Sequence, residues 1–266
     1  MKKYELIQKC SYGPLDPKVD LLPDFFTGFD PARRKEIIAK ESGFYHGITA
    51  PYSVDSQLDK YYTSFAAKDG NEIPVKIYRP KEKGGMLPAL VFIHGGGFKT
   101  CSVETHDFVP SYLAAKAGVM AFSIEYRLAP EYKFPIGLED CYQAIQWIID
   151  NAAKLCVDAS RIIVCGDSSG GTFSAAITLM AKERKDFSIA KQVLIYPATE
   201  FTDTIHKRSA EVYTMVGSTG KNKPVSAISP LMFDYLSDPE KEIWDPYVSP
   251  MFAQDLSGLP EALFIE

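Results

Sequence analysis

The sequence predicts an α/β fold, a mostly parallel central sheet with helices on both faces. Three observations carry that prediction. Short runs that are apolar on both faces recur at residues 89–93, 119–124, 162–165, 192–196 and 262–265, as in buried parallel strands. Segments of helical periodicity separate several of these runs, and such alternation builds a sheet covered on both sides. A glycine-flanked serine sits at one strand–helix junction, where an open parallel sheet collects its reactive groups.

The elements follow in order. Asp30 suits an N-cap and Pro31 the first helical position, so a helix is expected from Asp30 through residues 33–40. Residues 61–67 and 73–78 read as strands around Lys68-Asp69-Gly70-Asn71, and Asp-Gly between β-prone runs signals a hairpin. Leu138, Cys141, Ile145, Ile148, Ala152 and Leu155 recur at spacings of three and four, which predicts one amphipathic helix. Phe173, Ala176, Ile177 and Met180 predict another within residues 172–182. Residues 199–250 interrupt the rhythm. They are longer than a connection needs and carry Pro224, Pro230, Pro239, Pro246 and Pro250. They read as a partly helical insertion above the strand ends. The organisation expected is an N-terminal cap segment at 1–55 and a core at 56–266 that carries this insertion. Phe25, Phe26 and Phe29 suit a small cap core or the lining of an acyl pocket.

Length and composition suit one large domain: 266 residues, 46% apolar and 24% charged. The net charge of −5 comes with no basic patch for nucleic acid and no polybasic tail for an anionic membrane. Five cysteines, Cys10, Cys101, Cys141, Cys156 and Cys165, show no ligand-like spacing, and an odd count favours buried free thiols in a reducing cytosol. Lys2 and Lys3 are followed by Glu5, Gln8 and Lys9 rather than an apolar stretch, so no signal peptide is expected. No run approaches the ~20 apolar residues of a membrane span. A cytoplasmic location is the expectation, and no motif implies a metal or an organic cofactor.

Two segments carry chemistry. Gly166-Asp167-Ser168-Ser169-Gly170 reads G-x-S-x-G between an apolar run and a helical one. In that setting a sharp turn presents the serine hydroxyl as a nucleophile, and the following helix aims its positive end at the reacting centre. His94-Gly95-Gly96-Gly97-Phe98 ends the strand at 89–93. Successive glycines leave backbone N–H groups open to a developing oxyanion, with the N–H of Ser169 as a further donor. A Gly-rich strand-end turn and a phosphate-binding loop are the other readings of such a segment. Its spacing fits neither a dinucleotide fingerprint nor a P-loop.

The combination resembles the hormone-sensitive-lipase-like branch of the α/β-hydrolases, the bacterial carboxylesterases and lipases. Residues 94–98, Tyr126-Arg127-Leu128-Ala129-Pro130-Glu131 and Gly166-Asp167-Ser168-Ser169-Gly170-Gly171 carry the resemblance. Asp245-Pro-Tyr-Val-Ser-Pro250 and Leu256-Ser-Gly-Leu-Pro260 extend it toward a seventh strand. It implies a serine carboxylic ester hydrolase acting on small or medium uncharged esters through an acyl-enzyme. Ser168 would be the nucleophile, and the N–H groups of Gly96, Gly97 and Ser169 the oxyanion hole. His94, Gly95 and Asp167 would support the motifs. Members of the branch that lost the histidine became receptors, so a non-catalytic small-molecule binder is the rival reading.

The branch places its acid just after the strand at 262–265 and its histidine after the next strand, and the 266 residues contain neither segment. The expectation is therefore a fold truncated at its C-terminal end, short of one to two βα units of roughly 30 residues each. Such a chain would be impaired or inactive, with an apolar sheet edge available for self-association. Glu200 and Asp203 follow the strand at 192–196, and His206 is the last histidine. His206 falls in the insertion, whereas a base must reach Ser168 within hydrogen-bond distance, so no internal triad is assigned. His46 and His106 are expected at the surface or capping helices, Asp140 as a first-turn charge, and Tyr126 and Arg127 as braces of a strand end. Glu266 is expected within the last strand and is not assigned as the acid.

Overall fold

A computed structural model describes residues 30–202 and 230–266. Its sheet has seven strands in the order β1-β2-β4-β3-β5-β6-β7. These are β1 (Leu58–Ala66), β2 (Glu72–Pro80), β3 (Leu87–Ile93), β4 (Met120–Ile124), β5 (Val157–Asp167), β6 (Lys191–Ile195) and β7 (Glu261–Ile265). The hairpin forms as expected: β1 and β2 pair antiparallel from Leu58 opposite Pro80 to Ala66 opposite Glu72. Gly70 makes the turn at φ +85°, a conformation that costs glycine little. β2 runs antiparallel to β4, and the block β4-β3-β5-β6-β7 is parallel throughout. This is the mostly parallel sheet that the strand–helix alternation anticipates, in the order that the resemblance to α/β-hydrolases implies.

Alternation along the strands divides the core into two layers. Ala89, Val91 and Ile93 of β3 face one layer, built largely with α3 (Ile136–Asp150) and α5 (Ser169–Arg184). Leu90 and Phe92 face the other, under α2 (Phe108–Ala117). The apolar pattern does not reveal α2, because Pro110 lies in its first turn and its apolar residues show little periodicity. Gly118 at φ +66° ends it, donating its N–H to the Ala114 carbonyl at 3.0 Å. The single helix expected over Leu138–Leu155 is two, α3 and α4 (Ala152–Leu155). At the break Asn151 leaves helical geometry at φ −104°, ψ 13°, although its N–H still donates to the Trp147 carbonyl at 3.1 Å. The N-terminal helix begins as Asp30 and Pro31 predict. Asp30 Oδ1 caps the Ala32 N–H at 2.9 Å, and a short 3-10 turn leads into α1 (Arg34–Thr49), longer than expected.

Within the 199–250 segment the described helices are α6 (Pro230–Tyr235) and α7 (Pro239–Glu242). β7, expected as an apolar strand at the sheet edge, is the outermost described strand, with Leu263, Phe264 and Ile265 each 44% exposed or more. Neither of its faces is covered by described residues. The ladder between β6 and β7 runs to Ile195 opposite Ile265. Cys101, Cys141 and Cys165 are buried free thiols, and Cys156 is a half-buried one. Cys10, Phe25, Phe26, Phe29, Asp203, His206 and Pro224 lie outside the described residues.

Strand register positions the site. Ile93 at the end of β3 lies opposite Gly166 of β5, and Asp167 lies opposite Ile195 of β6. The segments that leave these three strands therefore meet at one edge of the sheet.

Candidate active site

Ser168 is the single residue between β5 and α5. Its backbone adopts φ +51°, ψ −121°, a strained conformation for a residue with a side chain, costing about 1–3 kcal/mol. Neighbouring contacts hold it there: its N–H donates to the Ile195 carbonyl at 2.9 Å, and its carbonyl accepts from the Thr172 N–H at 3.0 Å. The flanking glycines are dictated by close approach. A Cβ on Gly166 would lie 2.3 Å from the Gly170 carbonyl oxygen, and one on Gly170 would lie 2.0 Å from that of Ile93. Strand and helix thus touch backbone to backbone, and the Ser168 side chain stays half-buried at the turn.

The glycine loop meets this turn. Gly96 and Gly97 take φ +117° and +58°. The Gly96 carbonyl accepts from Lys99 and Thr100, while the N–H groups of Gly96 and Gly97 donate to no other described residue. The N–H of Ser169, first in α5, has no intrahelical acceptor by position. Two bonds tie loop to turn. Gly95 donates its N–H to Asp167 Oδ1 at 2.9 Å, and Phe98 donates its N–H to Ser169 Oγ at 3.3 Å. Phe98 stacks on Tyr235 of α6 at 3.9 Å between ring centres and packs against Phe173 at 5.2 Å. Lys99 Nζ reaches Asp234 of the same helix at 2.7 Å.

His94 is fully buried beneath the loop. Its Nδ1 lies 2.7 Å from the Gly95 carbonyl, and its ring stacks on Tyr126 at 4.4 Å. The Tyr126 hydroxyl donates to the His94 carbonyl at 2.8 Å. Burial, with the nearby His106 adding to it, pushes the His94 imidazole down to about 3, so the ring is neutral at physiological pH.

His106 departs from expectation. It is neither a surface residue nor a helix cap, because the turn before α2 folds it inward under the loop. Its Nε2 lies 3.3 Å from Asp167 Oδ2, and its ring centre 5.6 Å from that of His94. Burial works against the Asp167 carboxylate, but the His106 contact and the Gly95 N–H more than offset it, and its pKa lies below the ordinary value. Nothing local in Thr105-His106-Asp107 announces this placement. His46 is exposed, as expected, with Nδ1 bonded to the Ser42 carbonyl. No histidine among the described residues hydrogen-bonds to Ser168.

Asp140 also departs from expectation. Rather than a first-turn charge, it is the fifth residue of α3 and fully buried, because α3 points it at the strand end that carries Arg127. Arg127 forks onto both its oxygens, Nε at 2.8 Å and Nη2 at 2.6 Å, and Nη1 reaches Asp69 of the hairpin turn at 2.6 Å. The bracing expected of Tyr126 and Arg127 is therefore present. Glu200 is buried after β6, where its carboxylate accepts from the Thr202 hydroxyl.

The N-terminal helix reaches the same region. Arg34 on α1 donates to the carbonyls of Lys99 and Ala129 and pairs with Glu131 at 2.7 Å. Among the described residues no group of three or more His, Cys, Asp or Glu is arranged to hold a metal ion. No described helix is long and apolar enough to cross a membrane.

A parallel sheet, a strained serine at a strand–helix turn and a glycine loop at the adjacent strand end together define the α/β-hydrolase class. The family described as the alpha/beta hydrolase fold matches residues 90–266. The chain belongs to this family, in its hormone-sensitive-lipase-like branch. An arylesterase of Saccharolobus solfataricus is 36% identical over 194 residues, 73% of this chain and 61% of that protein. The carboxylesterase NlhH of Mycobacterium tuberculosis is 41% identical over 128 residues, 48% of this chain and 40% of that protein. Among solved structures, a hyperthermophilic esterase from Pyrobaculum calidifontis aligns with a TM-score of 0.76 at 35% identity, covering 95% of this chain and 79% of that one. The chain thus spans 40–61% of the length of these two curated relatives.

Proposed function

We propose that the protein hydrolyses carboxylic esters with small or medium uncharged groups, using Ser168 as nucleophile. The observation that carries this reading is Ser168 itself, held at positive φ on the strand–helix turn that two hydrogen bonds tie to the glycine loop. We take the N–H groups of Gly96, Gly97 and Ser169, which donate to no described residue, as its oxyanion hole. Similarity to an arylesterase and a carboxylesterase supports the ester as substrate class.

In this mechanism Ser168 Oγ bonds to the ester carbonyl carbon while a general base takes its proton. The carbonyl oxygen becomes an oxyanion and accepts the three N–H groups, whose directions the glycine loop and the α5 N-terminus fix in advance. Collapse of the tetrahedral intermediate breaks the bond to the alcohol oxygen, which receives the proton. Water then attacks the acyl-enzyme through the same oxyanion site, releases the acid and returns the proton to Ser168. None of the three described histidines is assigned as the base, and His46 is bonded to the Ser42 carbonyl. His94 is buried and directed at Gly95, and His106 is directed at Asp167. We assign residues 1–55 and 199–250 to a cap, on the support of Arg34 and Tyr235 packed against the glycine loop.

The test is turnover of p-nitrophenyl butyrate by the full-length protein, together with the intact mass after mixing. Hydrolysis that disappears in Ser168→Ala, with an acyl mass increment on the wild type, supports the reading. Turnover unchanged in Ser168→Ala would sink it. The second reading is a small-molecule binder of the same fold. That reading predicts saturable ester binding with neither turnover nor acylation.

A further inference from the structure

His106 and Asp167 lie behind the glycine loop, and neither is a nucleophile or an oxyanion donor. We propose that His106 is a positioning residue: through Asp167 it holds Gly95, and with it the N–H groups of Gly96 and Gly97, in register with Ser168. This inference rests on the esterase reading of the same site.

The geometry forms one chain of contacts. Asp167 immediately precedes Ser168 and is 8% exposed. Its Oδ1 accepts the Gly95 N–H at 2.9 Å. Its Oδ2 faces His106 Nε2 at 3.3 Å and the Tyr196 hydroxyl at 3.5 Å. An ionised carboxylate only accepts, so His106 Nε2 carries a proton and donates. The carboxylate packs flat on Gly95, where a Cβ would lie 2.4 Å from Oδ2. It is therefore confined by glycine on one side and by its donors on the other.

His106 is itself held. Its Nδ1 lies 2.9 Å from Thr105 Oγ1. That hydroxyl is fixed to the backbone of Ser102, with Oγ1 2.9 Å from the carbonyl and 3.0 Å from the N–H. Phe92, His94 and Tyr45 surround the ring at 5.6–6.4 Å between centres. Removing the Nε2 donor leaves the buried carboxylate free to turn toward Tyr196 and away from Gly95. The oxyanion donors then lose their fixed direction, although each N–H remains. Misplacement of about 1 Å can cost on the order of 10² in rate even when no reacting group is lost.

The test compares His106→Phe, which keeps a ring without the donor, with His106→Gln, which keeps an N–H donor without the ring. Both are made in the full-length protein. For His106→Phe the expected result is kcat lower by about 10- to 100-fold with KM within about twofold, the signature of an interaction made in the transition state. Hydrogen exchange at the Gly95 amide should quicken by roughly tenfold while the β3 and β5 amides keep their protection. His106→Gln should recover kcat to within about threefold of wild type, its amide replacing the lost bond to the carboxylate. Should His106→Phe not fold, His106→Met takes its place beside His106→Gln. Wild-type kcat in the donor-free variant, a Gln variant no better than it, or unchanged Gly95 exchange would each overturn the inference. Failure of the esterase reading is seen separately, as turnover that survives Ser168→Ala, and the Gly95 exchange still decides whether His106 holds the loop.

Discussion

Gly170→Ala adds one methyl group at the contact between α5 and β3. An ideal Cβ there would sit 2.0 Å from the Ile93 carbonyl oxygen and 2.7 Å from that of His94. Even close C–H···O contacts keep about 3.3 Å between carbon and oxygen. The methyl therefore has to gain roughly 1.3 Å by that measure, and both obstacles are backbone, so no flexible side-chain tip can yield. Overpacking of this kind costs about 1–3 kcal/mol, and the upper end applies where main chain must move. Alanine's helix propensity returns at most about 1 kcal/mol, less near the first turn. The expected net loss is about 2 kcal/mol, which for a domain of this size lowers Tm by roughly 4–8 °C. The same movement displaces the turn that carries Ser168, so kcat should fall as well. Gly43 and Gly47 on α1 provide the control. A Cβ at either meets nothing within 4 Å, so alanine there should be neutral or stabilising by up to about 1 kcal/mol. Calorimetric Tm and urea midpoints for the three variants decide the matter. A Gly170→Ala protein as stable as wild type would refute the backbone-contact argument.

Ser169→Pro removes one proposed oxyanion donor at the first helical position, where proline is tolerated. It should lower kcat about 10²- to 10³-fold beyond Ser169→Ala, which keeps the N–H, and equal kinetics for the two variants would dismiss Ser169 as a donor. Arg127→Met leaves the fully buried Asp140 carboxylate unpaired and should cost about 3–5 kcal/mol in urea unfolding. Adding Asp140→Leu should restore much of that loss, and a double variant as unstable as the sum of the two single ones would argue against a coupled pair. For His94 the folded value of about 3 lies below the ordinary 6.5. The neutral ring's contribution is therefore complete above pH 6.5 and is lost as pH falls toward 3, on the order of 5 kcal/mol in all. Between pH 7 and 4 a His94→Phe variant should lose less stability than wild type, and parallel pH curves would contradict this.

Local chemistry was enough to announce the frame. Apolar runs spaced by helical patterns define a parallel sheet because burial on both faces and short right-handed crossovers leave few alternatives. The serine turn and the glycine loop were legible too, since close backbone approach admits glycine alone at Gly166 and Gly170, and that restriction is written in the sequence. The Asp69–Gly70 turn and the Asp30 cap belong to the same group, being interactions between near neighbours in the chain. Tertiary structure decided whatever depended on distant residues. Asp140 looks like an ordinary helix charge until α3 carries it against Arg127, 13 residues away. The apolar stripe from Leu138 to Leu155 runs on past Asn151, and only its backbone, turned to φ −104°, ψ 13°, shows where the helix breaks. His106 reaches Asp167 across 61 residues because β3 and β5 lie side by side and the turn before α2 folds inward. No spacing rule encodes such a contact. It follows from sheet order and register, which arise from the packing of the whole domain rather than from any segment of it.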